Sequence, residues 1–314
     1  MVTPRFRLLA LVAWVMQGLI VLSGAAVRLT EAGLGCEDWP TCNEGELLPE
    51  WQIHGLIEFG NRVISLAVTV SAVLVVVAAR RLNPARPEPV RFAWMLVAGT
   101  VAQIVLGGLT VLLDLHPAVV GIHFLFSMAL LWAAQSLWLL AGEPGDHDWF
   151  RYSTEPTSVR TVGPVDQRTA TLARLQMGMA AAVLLIGTLV TGTGPHSGDS
   201  RAERLPFDLT QITRVHSTAV WLLLLILVVF AVHLARDADR TEPQIASGFV
   251  ALRWLLVAVV AQGGLGYLQF SLGVPAALVE AHIFGALVVW SFSILTHRRI
   301  IGFQVTPVAA TITV

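Results

Sequence analysis

Four polar side chains stand at matching places in otherwise apolar stretches: Asn61 in "HGLIEFGNRVIS", His123 in "VVGIHFLF", His216 in "TRVHSTAVW" and His282 in "VEAHIFGAL". A histidine inside a membrane-spanning stretch is costly and reads first as functional. Imidazoles that face each other from neighbouring helices can grip the iron of a planar macrocycle from both sides. His216 and His282 form such a pair and predict a six-coordinate, low-spin haem that carries electrons. The matching pair is Asn61 and His123. An amide is a poor iron ligand beside an imidazole, so a haem held there keeps one face open or weakly occupied, which suits oxidative chemistry.

Other residues gather around these positions. Glu58 lies three residues before Asn61, on roughly the same helical face, where its carboxylate could pass protons or orient an oxygen species; the plainer reading pairs it with Arg62. His54 and His116 lie seven residues before Asn61 and His123, close to two helical turns, and each is a secondary candidate for the vacant axial position. Pro117 argues against His116, because the residue before a proline is pushed out of helical geometry. Arg28, Arg62 and Arg214 are the arginines at the same ends of their helices; haem propionates or lipid head groups account for them about equally well. Glycines in "QIVLGGL", "QGGLGYL" and "LVTGTG" would let helices or a flat macrocycle approach closely.

The elements that must hold these residues follow from composition. Hydrophobic residues make up 55% of the 314 residues and charged residues 13%, half of what soluble domains carry, so the fold class is an all-α integral membrane protein. A hydrocarbon core about 30 Å thick needs roughly 20 apolar residues per crossing. Eight stretches qualify, at 8–27, 57–79, 92–113, 119–141, 172–190, 215–235, 249–270 and 276–295. The first is long enough to span and lacks a small-residue cleavage site, so it reads as a crossing and not as a cleaved signal peptide.

An internal repeat organises the crossings. Val-Ala-Gln opens both "VAQIVLGGLTVLLDLHPAVVGIHFLF" and "VAQGGLGYLQFSLGVPAALVEAHIF", and in each a histidine follows the glutamine by twenty residues: Gln103 to His123 and Gln262 to His282. The chain therefore reads as two tandem four-helix bundles, residues 1–141 and 172–314, related by a pseudo-twofold axis along the membrane normal. A polar tether, 142–171, with Gly145, Pro156 and Pro164, joins them.

All twenty basic residues are arginines, and most cluster on the side shared by the termini, among them Arg5, Arg80, Arg91, Arg151, Arg160, Arg240 and Arg299. The positive-inside rule puts that side and both termini in the cytoplasm of a cell-membrane protein. The loop "TEAGLGCEDWPTCNEGELLPEWQ" falls outside, carries no arginine and holds both cysteines, Cys36 and Cys42, where a disulfide persists more readily than two free thiols. A net charge of −1 gives no reason to expect a nucleic-acid partner.

The two four-helix halves, the cysteine pair in "GLGCEDWPTC", the motif "IEFGNR" and the histidines His123, His216 and His282 together resemble haem A synthase of the bacterial cysteine-pair type. The resemblance implies oxidation of a ring methyl of haem O to a formyl group. It also implies a haem b held by His216 and His282, catalysis by Glu58, a substrate haem near Asn61, Arg62 and His123, and a role in activity or electron entry for Cys36 and Cys42. Two features depart from the family pattern. Many members have Glu-x-x-His-Arg where this chain has Asn61, and some have a second cysteine pair where "GPHSGDSRAERLPFDLTQ" has none. A membrane cytochrome b without haem-modifying activity is the runner-up, and a two-repeat transporter the third reading. The electron partner, the oxygen source, self-association and assembly with a haem O synthase stay open.

Overall fold

The apolar stretches form helices in the computed structural model, which describes residues 4–36, 38–42, 46, 48–49, 51–83, 85–142, 165–236 and 243–302. Among them are α1 (Pro4–Leu29), α2 (Ile53–Arg80), α3 (Pro87–Leu112), α4 (Pro117–Leu140), α5 (Gln167–Thr193), α6 (Leu209–Arg236), α7 (Pro243–Ser271) and α8 (Ala276–Ile301). Each is long and apolar enough to cross a membrane. The all-helical membrane class expected from composition is thus borne out. Most helices run past the apolar stretch read from the sequence, because a backbone in lipid has to satisfy its own hydrogen bonds until it reaches polar surroundings.

Helix ends follow local chemistry. Pro87 and Pro117 occupy first-turn positions of α3 and α4, where a missing N–H costs nothing. Gly302, at φ 72°, ends α8 while its N–H bonds back to the Arg298 carbonyl at 2.9 Å. One boundary corrects the sequence reading. The tether was expected to reach residue 171, but α5 starts at Gln167, because the Asp166 carboxylate caps it by accepting from the N–H groups of Arg168 (2.8 Å) and Thr169 (3.1 Å). Residues 143–164 of that tether, with Gly145, Arg151, Pro156, Arg160 and Pro164, lie outside the described residues, as does Arg240.

The packing pairs α1 with α2 and α4, and α3 with α2 and α4, so these helices close a ring in which α2 and α4 stand on the diagonal. Helices α5 to α8 close a second ring in the same manner, with α6 and α8 on its diagonal. The rings meet along α4–α5, α4–α8 and α1–α8. Apolar burial continues across this seam, since Val21, Met128 and Leu131 of the first ring join the core built around Leu223, Phe230, Leu252 and Ile294. Polar groups stitch it as well. Trp290 Nε1 donates to the Met128 carbonyl at 2.9 Å, Gln135 Nε2 to the Ser291 carbonyl at 2.9 Å, and Arg298 Nε to Ser136 Oγ at 3.1 Å. The Arg298 guanidinium also lies 4.8 Å from the ring centre of Trp132, within cation–π range.

The repeat extends to the turns. After α3, Asp114 and Leu115 take left-handed φ values of 48° and 57°, and the Leu115 N–H donates to the Thr110 carbonyl at 2.8 Å. After α7, Gly273 and Val274 do the same at 77° and 60°, with Val274 N–H on the Gln269 carbonyl at 2.7 Å. Left-handed geometry is rare for leucine and rarer for a β-branched residue. Its occurrence at matched places fixes the same phase between α3 and α4 as between α7 and α8.

Candidate functional site

Helices α2, α4, α6 and α8 all begin at the end of the molecule that carries the disulfide loop, and Asn61, His123, His216 and His282 lie about two turns into them. Similar depth follows from similar helix starts. Because α6 and α8 are diagonal, His216 and His282 approach from opposite sides of one ring, within electrostatic reach of each other. Asn61 and His123 occupy the corresponding diagonal helices of the first ring.

Each histidine is seated against a glycine of the preceding helix. A Cβ at Gly107 would lie 3.5 Å from Cε1 of His123, one at Gly187 3.3 Å from Cε1 of His216, and one at Gly266 3.2 Å from Cε1 of His282. The slot is shallow, and only a glycine leaves it fully open. Gly107 and Gly266 belong to the glycine clusters noticed in the sequence, whereas Gly187 lies outside them; what they admit is an imidazole edge.

Two of the seats are reinforced. Gln103 Nε2 donates to the His123 carbonyl at 3.0 Å and also bonds Ser127 Oγ, while Gln262 Nε2 donates to the His282 carbonyl at 2.7 Å. The twenty-residue spacing from glutamine to histidine therefore has a mechanical reason: it brings an amide on one helix to the carbonyl of the histidine on the next. Nδ1 of His123, His216 and His282 is buried without a hydrogen-bond partner. Half-buried imidazoles seated on glycines, their Nδ1 atoms without a side-chain partner and only His216 near a backbone carbonyl, that of Val183, fit a group that takes imidazole nitrogen as a ligand, which is what haem iron does.

Asn61 is held differently. Its neighbour on α1 is a side chain, and Ser23 Oγ donates to Asn61 Oδ1 at 2.7 Å. Sequence reasoning missed Ser23, because one serine in an apolar helix carries no signal by itself.

Glu58 is buried, at 5% exposure, and both of its oxygens are engaged. Oε2 accepts from the Cys36 N–H at 2.8 Å and Oε1 from Arg62 Nη2 at 2.7 Å. Arg62 in turn donates to the carbonyls of Thr41 (2.8 Å), Asp38 (3.1 Å) and Pro40 (3.4 Å). The pair thus clamps the loop that the Cys36–Cys42 disulfide closes. Trp39 of this loop lies flat on α3, where a Cβ at Gly108 would come within 2.5 Å of its indole. Gly108 adjoins Gly107, so the closed loop covers the ring end beside His123.

The remaining candidates separate. Arg28 Nη2 donates to the Thr191 carbonyl at 2.7 Å and joins α1 to α5, with its Nε buried and unpartnered. Arg214 is exposed. His54 is exposed in the first turn of α2, close enough for its charge to act on Asp199. His116 precedes α4, 4.0 Å from Glu203, and lines a surface cavity of about 350 Å³ with Asp114 and Arg201. Asp199 lies outside the spanning helices. Burial raises its carboxyl, but hydrogen bonds and charge from Arg201, with a contribution from His54, outweigh this and hold it below the ordinary range.

Comparison with known proteins bears on these rings. A family model described as "Cytochrome oxidase assembly protein" matches residues 7–54, which cover most of α1 and the disulfide loop. Heme A synthase of Symbiobacterium thermophilum is 35% identical over 111 residues, 35% of this chain and 36% of that protein. Heme A synthase of Geobacillus thermodenitrificans is 32% identical over 124 residues, 39% of this chain and 38% of that protein. Over these stretches the chain is similar to haem A synthases. The matched stretches span little more than a third of the length of these haem A synthases. A protein of Thermus thermophilus named Protoheme IX farnesyltransferase is 32% identical over 209 residues, 62% of this chain and 33% of its own length.

Proposed function

We propose that the chain is a haem A synthase that oxidises a ring methyl of haem O to a formyl group in the cell membrane. The observation that carries this reading is the difference between the two rings: His216 and His282 on one diagonal, Asn61 and His123 on the other. Methyl-to-formyl oxidation removes electrons in pairs, so a substrate site needs a redox partner nearby. The second ring is suited to supply one.

In this reading His216 and His282 hold haem b, with Gly187 and Gly266 setting the ring planes and Gln262 bracing the helix at His282. That haem, once bound, supplies one-electron transfer. Substrate haem is held through His123, and Asn61 covers its other face without ligating strongly. Arg214, exposed at the same end, would meet a propionate. Glu58 contributes first through structure: with Arg62 it keeps the disulfide loop over the first ring, and its carboxylate is the acid group nearest Asn61 in sequence on α2. Haem O comes from a prenyl-transfer enzyme, in keeping with the similarity to the farnesyltransferase-named protein. The arginine-rich ends and both termini are cytoplasmic, and the disulfide loop lies outside.

Cofactor extraction from the purified full-length protein tests this. Haem O, or its hydroxymethyl or formyl product, beside haem b is the expected result. Haem b alone would make the chain an electron carrier, and no haem at all would overturn the reading.

A further inference from the structure

Asn61 occupies the place that His216 holds in the other ring, yet the two are oriented by different means. His216 rests on a glycine, whereas Asn61 is gripped by a hydroxyl. The Ser23–Asn61 contact of 2.7 Å has the length of an O–H···O bond, and the alternative acceptor for the same proton, the Ile20 carbonyl, is farther at 3.1 Å. A hydroxyl has one proton to give. Spending it on Oδ1 fixes which end of the carboxamide faces Ser23, and Nδ2 makes no hydrogen bond among the described residues.

We infer that Asn61 is a fixed hydrogen-bond donor, oriented by Ser23, for a small anionic or diatomic ligand on the open axial face of the substrate haem. The inference rests on the proposed synthase reading. An amide NH2 has its lone pair delocalised and does not ligate iron usefully, but it donates well to a bound atom that carries partial negative charge. Ser23 occupies one of the two lone pairs of Oδ1, which leaves the NH2 end as the free end of the carboxamide. Ser23 is thus a positioning residue, which acts on the ligand only through Asn61. The pairing also gives the departure from histidine at this position a chemical meaning: the ring exchanges an iron ligand for a donor.

The test uses the full-length protein with its native haem, and carbon monoxide and fluoride as probes. In the ferrous form, Asn61→Leu is expected to raise the C–O stretching frequency. In the ferric form it should weaken fluoride binding about tenfold, the loss of one hydrogen bond to a charged ligand. Ser23→Ala releases the amide to flip and should split the carbon monoxide band into two, and Ser23→Thr, which restores a hydroxyl, should return a single band. The Ser23 pair keeps the test decisive if Asn61→Leu does not fold. A haem that binds carbon monoxide with a band indifferent to Asn61 and Ser23 overturns this inference alone. A protein with only low-spin haem and no carbon monoxide binding overturns the synthase reading, and this inference falls with it.

Discussion

Glu58 Oε2 accepts a hydrogen bond from the Cys36 N–H at 2.8 Å, which ties a carboxylate on α2 to one end of the disulfide ring. Loop anchoring and any chemistry at Glu58 can therefore be separated by substitution. Glu58→Ala leaves the Cys36 N–H and part of the Arg62 guanidinium unpaired and should cost about 1–3 kcal/mol of stability. Glu58→Gln keeps an acceptor for Cys36 and should cost less. If the charge itself serves turnover, both variants lose haem A formation while only the alanine variant melts appreciably earlier. Thermal unfolding followed beside pigment analysis of the same samples checks this.

The glycine seats predict a graded response. Gly266→Ala places a methyl 3.2 Å from His282 Cε1, so the ring has to give by a few tenths of an ångström. Gly266→Val forces a larger shift, an overpacking penalty of about 1–3 kcal/mol. The low-spin haem spectrum should weaken in the alanine variant and largely vanish in the valine variant. Gly187→Val should act alike through His216. By contrast, Gly263→Ala, with nothing within 4 Å of the added carbon, should leave the spectrum unchanged.

Opening the disulfide should loosen the cap without unfolding the helices. Chain-entropy arithmetic for so small a ring gives about 2 kcal/mol. In Cys36→Ser, protease accessibility around Trp39 should rise and the helical circular dichroism should persist. Wild-type protein, alkylated without reductant, should show neither cysteine labelled.

Asp199 gives the loop between α5 and α6 an acid limit. Burial works against its ionisation, yet the bonds to the Arg201 N–H (2.8 Å) and Nε (3.1 Å) prevail and depress the folded carboxyl. A depressed carboxyl stabilises the fold above its unfolded value, about pH 3.9, and that stabilisation disappears as pH falls through the lower folded value. Hydrogen exchange in residues 195–205 should accelerate below about pH 4. In Asp199→Asn this acid-dependent step should be missing.

Much of this architecture was legible in the chain. Apolar length located the eight helices seen among the described residues, and the spacing from Gln103 to His123 and from Gln262 to His282 marked positions that carry matched hydrogen bonds. The start of α5 was misplaced because a single capping residue, Asp166, extends the helix beyond its apolar part. The Glu58–Arg62 pair was among the readings of the sequence, but the bonds of Glu58 and Arg62 to the disulfide loop and of Ser23 to Asn61 escaped notice for a different reason. Each depends on which backbone or side chain arrives from a distant segment, and neither periodicity nor composition records that. Gly187 was overlooked likewise, since a seat is recognised only when its occupant is seen.

The hydrogen bonds that stitch α4 to α8, together with the Arg28 link from α1 to α5, hold the two rings at a set spacing. Electron tunnelling falls off exponentially with distance. A seam pinned at both ends therefore gives any charge hopping between the rings a gap of constant width, so its rate would be governed by redox driving force and not by breathing of the bundle.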